Sequence, residues 1–118
     1  ASQKYFEDKE KSQVVGYGTS IGATTILYAL EIGHAFSALI DDDPYRQGLE
    51  SPGHALPIVS KEKAFEENLK TRFCAVLAPR YVDQILKNNA SALKSGVIFS
   101  RIWPIVEEVP NQSWQPNR

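Results

Sequence analysis

Two glycines, three adjacent aspartates, an arginine and a histidine are the groups through which this sequence could meet a ligand. The stretch VVGYGTS, residues 14–20, runs from apolar β-branched residues into a glycine pair and then hydroxyls, just ahead of a helical pattern. Gly16 and Gly18 permit a tight turn and a close backbone approach, and the free N–H groups of a helix start attract an anion. Asp41 follows Gly16 by about 25 positions, near the spacing of about 20 at which dinucleotide folds place an acid for a ribose hydroxyl. The fingerprint G-x-G-x-x-G is incomplete, because Ile21 stands where its third glycine would fall and Gly22 comes one position late. Two readings therefore stay open at this turn, nucleotide binding or glycines that only shape a strand-to-helix junction.

Asp41, Asp42 and Asp43 place three carboxylates side by side, which suggests a divalent ion. Asp42 and Asp43 also precede Pro44, so a turn with solvated charge is the simpler account. Arg46 could answer a phosphate or pair with these same aspartates. His54 is loop-borne and the best-placed general acid or base by residue type, although a surface role is the commoner one for such a histidine. His34, just past a helix end, reads as a favourable C-terminal charge. Cys74, in RFCAVLA, reads as a buried core thiol. One cysteine and two histidines argue against a zinc site, which wants about four such ligands. No metal site is expected.

The elements that must position these groups follow from periodicity. Residues 1–12 are charged and read as a linker or N-terminal helix, and Gln13–Tyr17 as a strand. From Ser20, Ile21, Ile26, Leu27, Leu30 and Ile32 give a helix with a broad apolar face, capped by Ser20 or Thr19 and stopped by Gly33. FSALID is a second strand, and Asp41–Ile58 a long ordered loop. SKEKAFEENL is a short solvent-facing helix capped by Ser60, and RFCAVLA a third strand. Pro79 opens another helix, with Val82, Ile85, Leu86 and Leu93 inward and Ser95–Gly96 at its end. VIFSRIWPIV is the last strand and residues 110–118 a tail. Strands alternating with helices predict an α/β domain over residues 13–109: a small Rossmann-like, three-layer α/β/α fold with a parallel sheet of about four to five strands. Ligands of such sheets sit beyond the carboxyl ends of the strands. Gly16–Ser20, Asp41–Gln47 and Ala78–Arg80 fall there.

With 118 residues, 42% hydrophobic and 23% charged, the chain has the balance of one globular domain. A net charge of −1 gives no pull toward nucleic acid or anionic lipid, and no apolar run approaches the roughly 20 residues of a membrane span. No nucleic-acid or membrane partner is expected. The polar N-terminus lacks the pattern of a signal peptide, and a lone cysteine fits a reducing compartment, so a cytoplasmic setting is expected. The sequence contains no methionine, which points to a domain cut from something longer. The N-x-S triplets at Asn89 and Asn111 carry little weight without secretion.

Taken together, GYGTSIGATTILYALEIG, LIDDDPYRQGLESPGHALPI and SRIWPIVEEV resemble the C-terminal domain of the sugar C-methyltransferases. These enzymes methylate a carbon of a nucleotide-linked deoxysugar. The resemblance spans roughly residues 13–109. It rests on a G-Y-G turn (Gly16–Gly18), a D-x-x-P-x-K-x-G segment (Asp41–Gly48, with Arg46 for the lysine) and a P-G-x-x-I-P-I loop (Pro52–Ile58). It implies a domain that helps bind a nucleotide-sugar, as a lid. S-adenosylmethionine belongs to an absent methyltransferase core domain, in cis or in trans, and a zinc-binding domain is absent as well. This chain would then hold no cofactor and no catalytic residue, His54 being the one weak candidate. Its substrate-side contribution would come from Gly16, Tyr17, Gly18, Thr19, Ser20, Asp41, Arg46 and His54. Two positions depart from the pattern: Gly22 or its neighbours replace a lysine in the first helix turn, and Ala55 stands where a histidine is common. Both remove polar groups from the face that would meet a substrate. The other readings are a free-standing Rossmann-like nucleotide-binding module, or a structural domain without ligand.

Overall fold

The chain was analysed as a computed structural model, which describes residues 2–102 and 106–110. Helix α1 (Ser2–Glu7) leads to strand β1 (Val14–Tyr17), helix α2 (Ile21–Leu30), β2 (Ala38–Ile40) and β3 (Ile58–Val59). A π-helical turn (Lys63–Glu67) precedes β4 (Phe73–Val76), followed by α3 (Val82–Asn88), α4 (Ala90–Lys94), β5 (Ile98–Arg101) and β6 (Glu107–Glu108). The six strands form one sheet in the order β3-β2-β1-β4-β5-β6. The first five strands run parallel, and β6 is antiparallel to β5. The expected parallel α/β sheet is present, with one short antiparallel strand added at its edge.

Alternation along the strands builds two cores. Val15, Tyr17, Cys74, Val76 and Phe99 turn to the face covered by α3 and α4, where they meet Val82, Leu86 and Leu93. Val14, Leu39, Ala75 and Leu77 turn to the opposite face and meet Phe6, Leu27 and Phe36. This period of two on both faces is what a fully covered parallel sheet requires. Gly16 lies on the α2 face of β1. A Cβ there would stand 2.8 Å from Leu39 Cδ2 and 2.9 Å from Leu77 Cδ1, so the two leucines close over the strand because the glycine has no side chain.

Several elements depart from the periodicity. Ile21 is 87% exposed, since the first residue of α2 projects past the sheet. The buried stripe of α2 is Ala23 and Leu27, with Ile26 and Leu30 half-buried. Gly33 does not stop this helix. Glu31 does, in the left-handed region at φ 54°, and Gly33 lies in a following 3-10 turn. Ile32 is buried but beyond the helix. Leu93 belongs to α4 because the helical run breaks at Asn89. Phe6 of α1 is buried and packs edge-on against Phe36, so the N-terminal segment contributes to the core. Part of the expected last strand, residues 103–105, and the tail with Asn111, residues 111–118, lie outside the described residues.

The loop between β2 and β3 is ordered by its backbone. Gly48 N–H donates to the Ile58 carbonyl, Ile58 N–H to Leu49 and Ser51 N–H to Leu56. Residues 48–51 thereby fold back on 56–58 as a hairpin with Pro52–Ala55 at its tip, and this pairing covers the outer edge of β3.

Candidate ligand site at the carboxyl ends of the strands

Strand order reverses between β1 and β4, since β1 continues to one side through β2 and β3 and β4 to the other through β5. A doubly wound sheet opens its ligand crevice at that point, beyond the carboxyl ends. A crevice of about 560 Å³ lies there. One wall is the start of α2, with Ser20, Gly22 and Ile26, and the other is the chain leaving β4, Leu77–Tyr81. Ser20 caps α2, its Oγ accepting the Ala23 N–H at 3.3 Å. Gly18 sits at φ 119°, a conformation disfavoured for other residues, and its N–H donates to the Ile40 carbonyl at 2.8 Å. The G-x-G turn is thus fixed by two needs of the fold: room for Leu39 and Leu77 at Gly16, and a positive φ at Gly18.

Beside the turn, Thr19, Asp41 and Arg46 form one cluster. Thr19 Oγ1 donates to Asp41 Oδ2, while Arg46 Nη1 donates to Thr19 Oγ1 at 3.1 Å and to Asp41 Oδ2 at 3.3 Å. Asp43 N–H donates to Asp41 Oδ1 at 2.8 Å, and Arg46 Nε lies 3.9 Å from Asp43 Oδ2. Asp41 has therefore filled three of its roughly four acceptor positions. Its side chain is 15% exposed against 47% for Arg46. The three aspartates do not converge: Asp42 accepts from the Tyr17 hydroxyl at 2.8 Å and Asp43 from Tyr45 N–H. Among the described residues no set of three or more His, Cys, Asp or Glu gathers to hold a metal ion.

Two of the eight sequence-derived site residues lie apart from this edge. Tyr17 is 3% exposed and faces the α3 side, where its hydroxyl donates to Asp42 and accepts from Asn89 Nδ2 at 3.2 Å. Burial, chiefly, and the Asp42 carboxylate push its phenol well above the usual tyrosine range. His54, at the hairpin tip, lies over Gly33, so near that a Cβ on Gly33 would come within 2.1 Å of its ring. Its ring centroid is 5.2 Å from that of Tyr28 in the second half of α2, and its Nδ1 is buried without a hydrogen-bond partner among the described residues. The structure groups Gly16, Gly18, Thr19, Ser20, Asp41 and Arg46, and sets His54 on the flank of α2. Sequence reasoning placed Ala78–Arg80 beyond a strand end without giving it a role. The signal was Pro79, which starts a 3-10 turn directly after β4 and opens the second wall of the crevice.

The fold and this edge define a class: a three-layer α/β domain with a Rossmann-like parallel sheet and a crevice at its switch point. Residues 6–105 match the family described as C-methyltransferase C-terminal domain, and the chain belongs to that family. A crystal structure of UDP-D-quinovosamine 4-dehydrogenase from Vibrio fischeri is similar in fold. It has a TM-score of 0.60 at 17% identity, over 82% of this chain and 92% of that one. No curated protein sequence matches the chain. Among the described residues no helix is long and apolar enough to cross a membrane.

Proposed function

We propose that this chain is the substrate-side domain of a sugar C-methyltransferase, helping to hold a nucleotide-linked deoxysugar at the carboxyl ends of β1 and β4. The observation that carries this reading is the crevice at the switch point, where Ile26, Leu77, Ala78, Pro79 and Tyr81 form a largely apolar lining beside a capped helix start. In this reading the Gly18–Ser20 turn faces the diphosphate, and Arg46, steered by Asp41 and Thr19, adds a cation. S-adenosylmethionine and the methyl transfer itself belong to a methyltransferase core domain, in cis or in trans, and this chain alone transfers no methyl group. Family membership supports a domain of a larger enzyme over a free-standing module. His54 takes no part in chemistry here, because it packs against Gly33 and Tyr28.

An amide chemical-shift titration of the chain tests the reading, with UDP-glucose, NAD and S-adenosylmethionine as separate probes. UDP-glucose is expected to move Gly18, Ser20, Gly22 and Ala78, and S-adenosylmethionine to move none of them. A tight response to S-adenosylmethionine would overturn the division of labour. Silence toward all three would leave a structural domain.

A further inference from the structure

We propose that Tyr17, buried on the far face of the sheet, is a positioning residue for Arg46 and acts through Asp42. This rests on the reading above, in which Arg46 adds a cation at the ligand edge, and it names what holds that cation in place.

Strand parity sets the geometry. Tyr17 stands beside Ile40 in the register of β1 and β2, and both turn to the face covered by α3 and α4. Leu39 turns to the opposite face. Carried two residues past β2, the same alternation puts Asp41 on the α2 side and Asp42 on the α3 side. The contacts follow that split. Asp41 accepts from Thr19 and Arg46 at the turn after β1. Asp42 accepts from the Tyr17 hydroxyl through both oxygens, at 2.8 and 3.0 Å. Two consecutive aspartates thus grip the sheet from its two faces.

The loop they hold is closed on itself. Asp43 N–H donates to Asp41 Oδ1, Arg46 N–H to the Asp43 carbonyl and Tyr45 N–H to Asp43 Oδ1. A loop tied internally in this way moves as one piece, and the guanidinium moves with it. Arg46 is itself half exposed, and a long exposed side chain is ordered by its partners rather than by packing. Tyr17 supplies a fixed stop for that loop. Its ring is locked in the core, and its oxygen also accepts from Asn89 Nδ2, which donates in turn to the Ile85 carbonyl. Burial, chiefly, raises the phenol above the usual tyrosine range, so it remains a donor at neutral pH.

Two measurements on the chain test the assignment: NMR relaxation of the Arg46 Nε–H group, and calorimetric titration with UDP-glucose. Asp42→Ala, at an exposed position, and Tyr17→Phe are both expected to mobilise the Arg46 side chain. Both should weaken UDP-glucose by about fivefold to tenfold, as when the binding-competent fraction falls by that factor. Removing a carboxylate near a diphosphate would by charge alone tighten binding, so a weakening carries the sign of a lost position. Asp42→Asn removes the same charge but keeps an acceptor for the phenol, and should hold both the ordered Arg46 and the affinity. Tyr5→Phe removes a phenol–carboxylate bond at another place, the one to Glu108, and should leave Arg46 unchanged. A role in stability alone would lower the melting temperature of Asp42→Ala and Tyr17→Phe while Arg46 stays ordered in the folded chain, and that result overturns the proposal. Equal or tighter binding of UDP-glucose by Asp42→Ala overturns it as well. If the parent chain binds no UDP-glucose, the nucleotide-sugar reading falls, and the Arg46 signal by itself decides whether Tyr17 positions that side chain.

Discussion

Gly33 and His54 show at the residue scale how a motif can be structural. A methyl group at Gly33 would fall within 2.1–2.7 Å of three atoms of the His54 ring, so Gly33→Ala must expel that ring and loosen the hairpin tip. We expect a loss of about 1–3 kcal/mol by denaturant unfolding, the range for overpacking. In a His54→Ala background the same change should cost much less, because the clash has gone. Equal costs in both backgrounds would show that the contact is not the constraint. The glycines, Asp41 and Arg46 were legible as residues of interest because their types and spacing are unusual. What they touch was not legible. Spacing alone cannot tell an acid free for a ribose from one already holding Thr19 and Arg46, and it cannot tell that Tyr17, inside a G-Y-G turn, points away from the edge. Cys74, by contrast, read correctly as a core thiol. It is 0% exposed and burial pushes its thiol up, so alkylating reagents should reach it only when the domain unfolds.

Among the elements, the junction of α3 and α4 is the most informative. Asn89 is 5% exposed, and its Nδ2 donates to the Ile85 carbonyl at 2.8 Å and to the Tyr17 hydroxyl. An asparagine that engages the backbone of the preceding turn competes with the helix ladder and can end it. Its backbone stands at φ −126°, between the two helices. Asn89→Ala removes both bonds from a dry site and should cost about 1–3 kcal/mol in chemical denaturation. A change under a few tenths would show the junction to be set by packing alone. Periodicity read one continuous helix through Leu93 because both halves keep their apolar residues on the same face. Strands β1, β2 and β4 were legible as apolar runs between turn residues. β6 was not, being two exposed glutamates with no alternation to see. It is held from outside itself, by Arg101–Glu107 at 3.7 Å, Tyr5–Glu108 at 2.9 Å and Val109 N–H to Phe99.

For the molecule as a whole, two buried acids, Cys74 and Tyr17, and the half-buried Tyr5 weaken the fold at alkaline pH. Burial is the leading cause that raises Cys74, Tyr5 and Tyr17 above their ordinary values. Below the ordinary thiol value of about 8.5, both folded and unfolded chains keep these protons. As pH rises past it, and then past about 10 for the tyrosines, the unfolded chain releases protons that the folded one retains, so stability falls. Tyr17→Phe should flatten the decline above pH 10, and an unchanged slope would assign it to other groups. At this scale the layered α/β order was fully legible, because alternating periods of two and 3.6 allow few other architectures. The crevice was not, since it exists only where α2 and the chain after β4 are brought together across the switch point. A crystal structure of the chain soaked with UDP-glucose is therefore the most direct test of the nucleotide-sugar reading. Ligand density is expected across the carboxyl ends of β1 and β4, between Ser20–Gly22 and Ala78–Tyr81. Density beside His54 and Tyr28 on the flank of α2, with the crevice empty, would contradict it.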